Sequence, residues 1–496
     1  MQYVLWGNRS GNPLVSRLGF GTTRFPQSLL KNSSGLNQCV ELVRHALEQG
    51  VNYFDVAPTY ANGLAEKILG EALMNAPIPA YLAAKSGLMI DKTADDIQRR
   101  IARSLELLKR DSIDFYHLWS VLNWEQYQQI ISPGGLYDGV CQAKKAGQVD
   151  HICVSLHCDP ETTLRIMDED RFEGITISLN PLNYKKWSKV LQVAGEKHVA
   201  VATMNSLGGG IVPKYQRLFT SLDDSSDSAA VKGLRFVLAQ PNVTVALSGM
   251  PSKEIIDENC RATEPGDRKQ GAFHLPVNEP LCSGCNYCAP CSVGIPISSC
   301  MQAYNHKLLV DACGKTEPES AIANNIFIRV RANGAVFPDL NQCIGCKRCE
   351  KKCTQKINIS GRMKQLEALS RKYGYTNEQM HARLSELKAA CSSSRKIGIW
   401  PAADYASRML DYWDDTDFEQ RCVFFNSSPA MKGKPFRGKV ILGPEDVPNA
   451  GVDSIVIMHH RLQKEIRKDL EERYQGTVQI ICLHKADEVD WFNRMI

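Results

Sequence analysis

The first 262 residues alternate short strand-like segments with amphipathic helices, and this repeat limits the possible folds more than any other feature. Candidate strands lie near 17–21, 51–55, 81–84, 113–118, 150–154, 175–179, 199–203 and 244–248. Stretches between them, such as 94–108, place aliphatic residues at helical spacing on one face. Eight strands alternating with helices predict an α/β fold, a (β/α)8 TIM barrel. A doubly wound sheet is the alternative, but no glycine-rich turn follows the first two strands.

The size and composition of the chain indicate a globular protein of several domains. Its 496 residues exceed one ordinary core and predict roughly two to four domains. With 43% apolar residues, 23% charged residues and a net charge of +5, the chain gives no reason to expect nucleic acid or an anionic membrane as a partner. The N-terminal segment lacks a basic flank followed by an apolar run, and no stretch of ~18 apolar residues occurs. We therefore expect a cytoplasmic protein.

Polar side chains follow the predicted barrel strands at the end where TIM barrels carry their reactive groups. Asp55 ends the second strand, Tyr60 lies in the loop after it, and Lys85 ends the third strand. Each alone is more often a structural residue than a catalyst. Together, however, a lysine beside a phenol stabilises the phenolate, and a carboxylate holds the ammonium in place. Such a trio allows a tyrosine to pass a proton near neutral pH.

The fourth predicted strand, "DFYHLW", carries two rings on one face. His117 and Trp119 are two residues apart, so their side chains point the same way on a strand. His117 should lie deeper by about 6–7 Å along the strand. The sequence therefore predicts that Trp119 occupies the mouth of the barrel and that His117 is a buried, hydrogen-bonded core residue.

Four stretches of the barrel resemble the aldo-keto reductases: "LGFGTTR", "NYFDVAPTYANGLAEKILGEAL", "AAKSG" and "SGMPSKEIIDEN". The resemblance covers roughly residues 1–262 and implies hydride transfer between NAD(P)(H) and a carbonyl or alcohol. It also implies that Asp55, Tyr60 and Lys85 are three members of a catalytic tetrad. The fourth member is a histidine that donates a hydrogen bond to the substrate oxygen. Trp119 stands at that position here.

The same resemblance implies a cofactor site at the barrel mouth. Nicotinamide would lie beside Ser155, Asn180 and the loop 204–210, and the helix starting near Ser252 would hold phosphate on its free N–H groups. Asn259 matches a position that contacts adenine. The expected cofactor-binding residues are Gly21, Thr22, Ser155, Asn180, Met204, Leu207, Gly249, Met250, Ser252, Lys253 and Asn259.

The preference between NADH and NADPH stays open. Pro251 stands where the family often has an arginine for the 2′-phosphate, and Thr176 stands where a glutamine is usual. Lys253 could supply the missing positive charge.

Eight of the eighteen cysteines form two compact motifs, "CSGCNYCAPC" and "CIGCKRCEKKC". A large chain without an export signal favours metal ligation over disulfides. Three cysteines spaced by two, followed by a fourth, are typical of [4Fe–4S] ligation rather than of zinc ribbons. The predicted metal ligands are Cys282, Cys285, Cys288, Cys291, Cys343, Cys346, Cys349 and Cys353.

In two-cluster ferredoxin folds, the fourth cysteine of each motif ligates the other cluster. On that basis Cys353 completes the cluster of the first motif, and Cys291 completes the cluster of the second. A branch of the aldo-keto reductases carries such a ferredoxin-like module, and "CSGCNYCAPCSVGIPISSCMQAYN" resembles it, which extends the resemblance to about residue 365. The clusters could be purely structural or could relay electrons to an external redox protein.

The last hundred residues alternate strands and helices again, which predicts a small parallel sheet. This segment resembles the Rossmann-like modules appended to enzymes of sugar and surface-polysaccharide metabolism. Their glycine-rich turn is replaced by Pro401, Ala402 and Ala403, and Asn426 stands where an acidic residue often binds ribose. Without glycine the backbone cannot approach a pyrophosphate closely. A degenerate ligand- or partner-binding domain is therefore favoured over a second dinucleotide site.

Three domains follow from these patterns: a barrel over 1–264, a ferredoxin-like module with a helical linker over 265–392, and a Rossmann-like domain over 393–496. The expected function is that of an iron–sulfur aldo-keto reductase-like oxidoreductase that uses NAD(P)(H). Its substrate would be a small molecule, and a sugar derivative is suggested by the last domain. The alternative is a barrel without hydride transfer that serves as a scaffold or electron-transfer subunit of a larger assembly.

Overall fold

The computed structural model describes residues 1–266, 273, 277, 279–312, 340–373, 375–459 and 463–483. The chain divides into two compact units, Met1–Leu275 and Pro276–Ile496. Among the described helices, none has the length and apolar character needed to cross a membrane.

The first unit is built around a closed barrel of eight parallel strands, which confirms the predicted TIM barrel. A short antiparallel hairpin precedes it, formed by β1 (Tyr3–Leu5) and β2 (Leu14–Ser16). The barrel strands are β3 (Leu18–Gly21), β4 (Tyr53–Asp55), β5 (Tyr81–Ser86), β6 (Ile113–Val121), β7 (Val149–Leu156), β8 (Gly174–Ser178), β9 (Ala200–Met204) and β10 (Val243–Ser248). The strands pair in chain order, and β10 closes the barrel against β3.

Amphipathic helices cover the barrel. They are α1 (Ser33–Glu48), α2 (Ala65–Leu73), α3 (Ala94–Leu108), α4 (Trp124–Ile131), α5 (Leu136–Lys145), α6 (Pro160–Met167), α7 (Ser188–Glu196), α8 (Ile211–Lys214), α9 (Ala229–Leu238) and α10 (Lys253–Cys260). The helix α3 shows why they form. Thr93 and Asp96 make a capping box at its start, and Ile97, Ile101 and Leu108 are buried on one face. Each such buried aliphatic side chain stabilises the fold by roughly 1.5–3 kcal/mol.

Aromatic side chains fill the barrel toward the N-terminal ends of the strands. The rings of Trp6 and Phe115 lie 4.1 Å apart, and Tyr53 stacks on both at 5.4–5.6 Å. Gly174 leaves space for this cluster, because a Cβ there would lie 2.5 Å from the Trp6 ring. With this region packed by apolar groups, the polar side chains collect at the opposite mouth.

The second unit contains the cysteine motifs and a parallel sheet. Among its described residues the helices are α11 (Ile297–Ala312), α12 (Arg348–Lys351), α13 (Ile359–Lys372), α14 (Asn377–Ala390), α15 (Asp404–Trp413), α16 (Thr416–Gln420), α17 (Val447–Ala450) and α18 (Gln463–Tyr474). A small apolar core joins α11 and α13 through residues that include Met301, Tyr304, Met363 and Leu366. Six of the eight motif cysteines pack against this core.

Four parallel strands follow in the last hundred residues, as the alternating pattern predicts. These are β11 (Ile397–Trp400), β12 (Cys422–Phe424), β15 (Ser454–Ile457) and β16 (Gln479–Cys482), while β13 (Pro435–Phe436) and β14 (Lys439–Val440) form a separate small hairpin. The spatial order is β12-β11-β15-β16, with the first strand of the sheet at its centre. Central strands of such a sheet are covered on both faces, which accounts for the burial of all four residues of β11 and of β15.

Candidate functional site

Asp55, Tyr60 and Lys85 meet at the C-terminal mouth of the barrel. The Lys85 Nζ lies 2.7 Å from Asp55 Oδ1 and 2.6 Å from Oδ2, and both side chains are more than nine-tenths buried. The same Nζ lies 5.1 Å from the centroid of the Tyr60 ring. Tyr60 is only partly buried, at the start of a turn in which Ala61 and Asn62 have left-handed backbone conformations. The carboxylate therefore contacts the lysine, the lysine lies beside the tyrosine, and the phenol reaches the mouth. We call this series of contacts the contact chain.

The electrostatics of this trio favour a charged lysine. Burial alone would lower the pKa of Lys85, but the Asp55 carboxylate and the Tyr60 phenol outweigh it, so the pKa of Lys85 is raised. Burial raises the pKa of Asp55, and Lys85 opposes that rise. We take the pair as an ammonium–carboxylate pair because both oxygens of Asp55 accept hydrogen bonds from the same Nζ.

Trp119 lies at the mouth, beside the tyrosine. Its ring is half-buried and meets the Tyr60 ring edge-on, with centroids 6.1 Å apart and an interplanar angle of 79°. Gly87 makes this position possible, because a Cβ on Gly87 would lie 1.0 Å from the Trp119 carbonyl oxygen. Gly87 is not among the predicted site residues, although it is only two residues after Lys85 in "AAKSG".

His117 lies deeper in the barrel and is 1% exposed. Its Nδ1 lies 3.4 Å from the hydroxyl of Thr176, and its Nε2 has no hydrogen-bond partner in the described part of the chain. Burial, with a smaller effect of Lys85, lowers the pKa of His117 to about 3. The imidazole is therefore neutral at physiological pH and sits behind the mouth.

A second histidine, His157, follows the fifth barrel strand and is half-buried at the mouth. Its Nε2 lies 3.2 Å from the hydroxyl of Ser155. Burial, followed by Lys85, lowers the pKa of His157 to about 3. Two neutral imidazoles thus lie within electrostatic range of the same lysine.

The expected nicotinamide residues surround this mouth at the ends of several strands. Thr22 donates from its hydroxyl to the Asp55 carbonyl at 2.9 Å, which ties the loop after Gly21 to the catalytic strand. Asn180 donates to the Asn205 carbonyl at 3.1 Å and therefore holds two neighbouring loops together. Met204 is the last residue of β9, and Leu207 lies in the second of these loops.

The expected phosphate and adenine residues lie at the last barrel strand and the helix after it. Ser252 caps α10 by accepting a hydrogen bond from the Ile255 N–H, and Lys253 is the first residue of that helix. Asn259 donates to the Ser248 hydroxyl at 3.0 Å, whereas its Oδ1 is buried without a partner in the described chain. Gly249 and Met250 connect the strand to the helix.

The two cysteine motifs lie against one another in the second unit. The pKa of Cys282 is raised to about 11 by burial and by the nearby thiols of Cys285 and Cys353. The pKa of Cys288 is raised to about 12 by burial and by Cys282, Cys285 and Cys353. Cys353 of the second motif is thus a neighbour of Cys282 and Cys288 of the first motif.

The second motif borders a cavity of about 390 Å³ that two cysteines of the first motif also line. The cysteines that line it are Cys288, Cys291, Cys343, Cys346 and Cys349. Among the described residues, no group of three or more His, Cys, Asp or Glu side chains is arranged to hold a single metal ion. A cubane cluster differs from a single ion because its thiolates bind separate iron atoms and therefore stand further apart.

The turn after the first strand of the C-terminal sheet, β11, is held by a side chain that follows the neighbouring strand, β12. Asn426 donates from Nδ2 to the Ala402 carbonyl at 3.0 Å. Ala403 precedes α15 without capping its N-terminus through a side chain. The amide that stands at the expected ribose position is thus hydrogen-bonded to the backbone of the turn.

Comparisons with known proteins identify relatives of the first unit. Residues 17–267 match the model of the aldo/keto reductase family. L-galactose dehydrogenase of Arabidopsis thaliana is 26% identical over 277 residues, which cover 50% of this chain and 84% of that protein. The chloroplastic pyridoxal reductase of the same plant is 25% identical over 231 residues, or 42% of this chain and 61% of that protein. Among solved structures, aldo-keto reductase AKR11C1 from Bacillus halodurans is 20% identical, with a TM-score of 0.44 and coverage of 54% and 92%.

Proposed function

This chain belongs to the aldo/keto reductase family of oxidoreductases, and we propose that it transfers hydride between NAD(P)(H) and a carbonyl or alcohol. The observation that carries the proposal is the contact chain from Asp55 through Lys85 to Tyr60 at the barrel mouth. It supports a tyrosine that exchanges a proton with the substrate oxygen.

The residues around the mouth fit a dinucleotide. The buried Oδ1 of Asn259 lacks a partner and is an acceptor that an adenine amino group could use. The N-terminus of α10, capped by Ser252, offers free N–H groups to phosphate. When bound, the cofactor would supply or accept the hydride. NADPH differs from NADH by its 2′-phosphate. Lys253 is the cation that would bind this phosphate.

The chain's own residues divide the remaining work. Tyr60 gives its proton to the substrate oxygen during reduction and takes it back during oxidation. Lys85 stabilises the phenolate that results, and Asp55 fixes the ammonium in position. Trp119 borders the same space, and its indole N–H is a single donor that cannot change charge.

The proposed substrate is a sugar or a sugar derivative. The relative whose name describes a sugar reaction, L-galactose dehydrogenase, supports this assignment. The C-terminal sheet resembles modules of sugar metabolism and supports it independently.

The cysteine motifs are proposed to hold two [4Fe–4S] clusters. The donor set fits, because eight thiols in two interleaved groups are the ligands that such clusters require. The proximity of Cys353 to Cys282 and Cys288 supports one cluster, and the shared cavity of Cys291 with the second motif supports the other. When bound, the clusters would supply one-electron chemistry or structural cross-links.

After the barrel we propose two further domains, a ferredoxin-like module over 265–392 and a Rossmann-like domain over 393–496. The four-stranded parallel sheet supports the second of these. The hydrogen bond from Asn426 to the Ala402 carbonyl supports a degenerate site that binds another ligand or a partner in place of a dinucleotide.

A second candidate function is a barrel without hydride transfer that serves as an electron-transfer or scaffold subunit. Trp119 favours it, because the bulky indole at the mouth stands where the family has its histidine. The two candidates differ in whether the barrel binds a nicotinamide dinucleotide.

Titration of NADH and NADPH into anaerobically purified protein, followed by fluorescence, tests the proposal. We expect saturable binding that Asn259→Ala weakens and the control Asn426→Ala leaves unchanged. Absence of saturable binding, or equal weakening by the control, would contradict a dinucleotide site in the barrel and favour the second candidate.

A further inference from the structure

The second cysteine motif carries an exposed basic face. Between Lys347 and Lys356 five of ten residues are lysine or arginine, and all five are exposed: Lys347, Arg348, Lys351, Lys352 and Lys356. Beside them Ile344 has 64% of its surface exposed, although it is large and apolar. We call this set, with Ile344, the basic face.

Within the described residues, nearby carboxylates balance only a small part of this positive charge. None of the five forms an ion pair with a carboxylate in the described ranges, 340–373 and 375–459 included. The one acidic residue among them, Glu350, accepts hydrogen bonds from the N–H and hydroxyl of Ser360 at 2.8 and 2.7 Å. Its carboxylate is thus held at the start of α13 and also lies within electrostatic range of Lys347, so the five cations exceed the one carboxylate by four charges.

The basic face belongs to one motif only. The first motif, "CSGCNYCAPC", contains no charged residue. The basic face directly surrounds Cys346, which is exposed, whereas Cys343 and Cys349 of the same motif are partly buried. The charges therefore single out the edge of the proposed second cluster that is nearest to solvent.

We propose that the basic face is the docking surface for an acidic electron-carrier protein, a partner that surrounds its own redox group with carboxylates. This inference rests on the proposed clusters. Complementary charge steers such a partner to the face and fixes its orientation. Protein–protein interfaces usually have an apolar centre surrounded by a polar rim. The exposed Ile344 would form such a centre among the cations.

The test is a binding measurement on the full anaerobic chain with a purified acidic plant-type ferredoxin. We expect saturable binding at about 20 mM salt that weakens ~10-fold or more at about 300 mM salt, since exposed charges are then screened. The double substitution Lys351→Glu with Lys352→Glu should weaken binding ~10-fold or more at low salt. Basic cytochrome c, as a control protein, should not bind.

A matched double variant controls for the change in the net charge of the protein. Lys364→Glu with Lys468→Glu changes the charge equally at two exposed lysines outside the face and should alter affinity less than about twofold. Equal binding by the wild type and the Lys351/Lys352 variant, or no binding at low salt, would overturn the proposal. Stronger binding of phosphatidylserine vesicles than of ferredoxin, lost in the same variant, would overturn it in favour of a membrane surface.

Iron and sulfide are measured on every sample. Equal contents in the wild type and both double variants show that a loss of binding comes from the surface. A wild type without iron and sulfide contradicts the clusters themselves, and the binding result then still decides whether the basic face recognises acidic proteins.

Discussion

At the residue scale, the mouth of the barrel combines side chains from separate strands and loops, with Lys85 hydrogen-bonded to Asp55 and Trp119 beside Tyr60. The trio of Asp55, Tyr60 and Lys85 could be predicted because strand ends converge in a barrel. His117 could be placed behind Trp119 because alternate residues share a strand face. Gly87 could not be found, since its role depends on a carbonyl of the neighbouring strand, and sequence spacing does not encode such an approach.

Trp119→His is expected to improve the reduction of simple aldehydes. An imidazole at the mouth could donate a hydrogen bond to the developing oxyanion. Removing one such donor from an enzyme raises the activation free energy by roughly 2–4 kcal/mol. We expect kcat/KM to rise by about 10²-fold, measured with NADPH and small aldehydes. As the control, His117→Ala should lower thermal stability and leave kcat/KM within several-fold of wild type. If wild type is already fast and His117→Ala abolishes its activity without unfolding, His117 is the catalytic imidazole.

The neutral state of His117 predicts a pH dependence of stability. Its pKa in the folded protein is about 3, below the ordinary value of 6.5, so the unfolded state binds the proton first. The contribution of His117 to the free energy of unfolding is fully present above pH 6.5. It falls by about 1.4 kcal/mol per pH unit as the pH drops from 6.5 toward 3. Urea unfolding of wild type and His117→Gln between pH 7 and pH 5 measures it. An equal loss of stability in both proteins would contradict the assignment.

At the element scale, the strands and helices were predictable where their periodicity was strong. All eight barrel strands lie within a few residues of their predicted positions, since buried parallel strands are continuous apolar runs between helices. The paired helices at Ile359–Lys372 and Asn377–Ala390 match the predicted helical linker. The short hairpin of β13 and β14 was not predicted, because two-residue strands carry no periodic signal.

Gly87→Ala tests how β5 and β6 approach one another at the mouth. The added Cβ would overlap the Trp119 carbonyl, so the ends of both strands must separate, and we expect a loss of several kcal/mol with a displaced indole. Gly147→Ala is the control: its Cβ meets nothing within 4 Å, and only its positive φ opposes the change, at about 1 kcal/mol. Thermal denaturation and tryptophan fluorescence measure both. Equal, small losses would show that the approach of the two strands is not constrained at Gly87.

At the scale of the whole molecule, the chain contains a barrel that belongs to the aldo/keto reductase family and a second unit. The cysteines and the sheet of the second unit suggest further functions. The barrel could be predicted from its repeat and its motifs. The interleaving of the cysteine motifs could be expected only from the ferredoxin resemblance, because ligand spacing alone does not say which thiol crosses to the other motif.

The proposed clusters predict about eight irons and eight sulfides per chain under anaerobic conditions. Cys353→Ser should remove the cluster of the first motif and leave ~4 irons, whereas Cys391→Ser, in the core beneath the C-terminal sheet, should leave all of them. Iron and sulfide analysis with EPR of the reduced protein gives the answer. Zinc at about two per chain without sulfide would contradict iron–sulfur ligation.

The central claim, a tyrosine-driven hydride transfer in the barrel, is tested most directly by comparing wild type with Tyr60→Phe. Anaerobic turnover of NAD(P)H and NAD(P)⁺ is followed by absorbance with a panel of sugars, sugar lactones and sugar alcohols, and dinucleotide affinity is measured on the same samples. We predict turnover by the wild type, a fall in kcat of ~10²–10⁴-fold in Tyr60→Phe, and unchanged dinucleotide affinity. Wild-type kcat in Tyr60→Phe, or no turnover by the wild type despite dinucleotide binding, would contradict the claim.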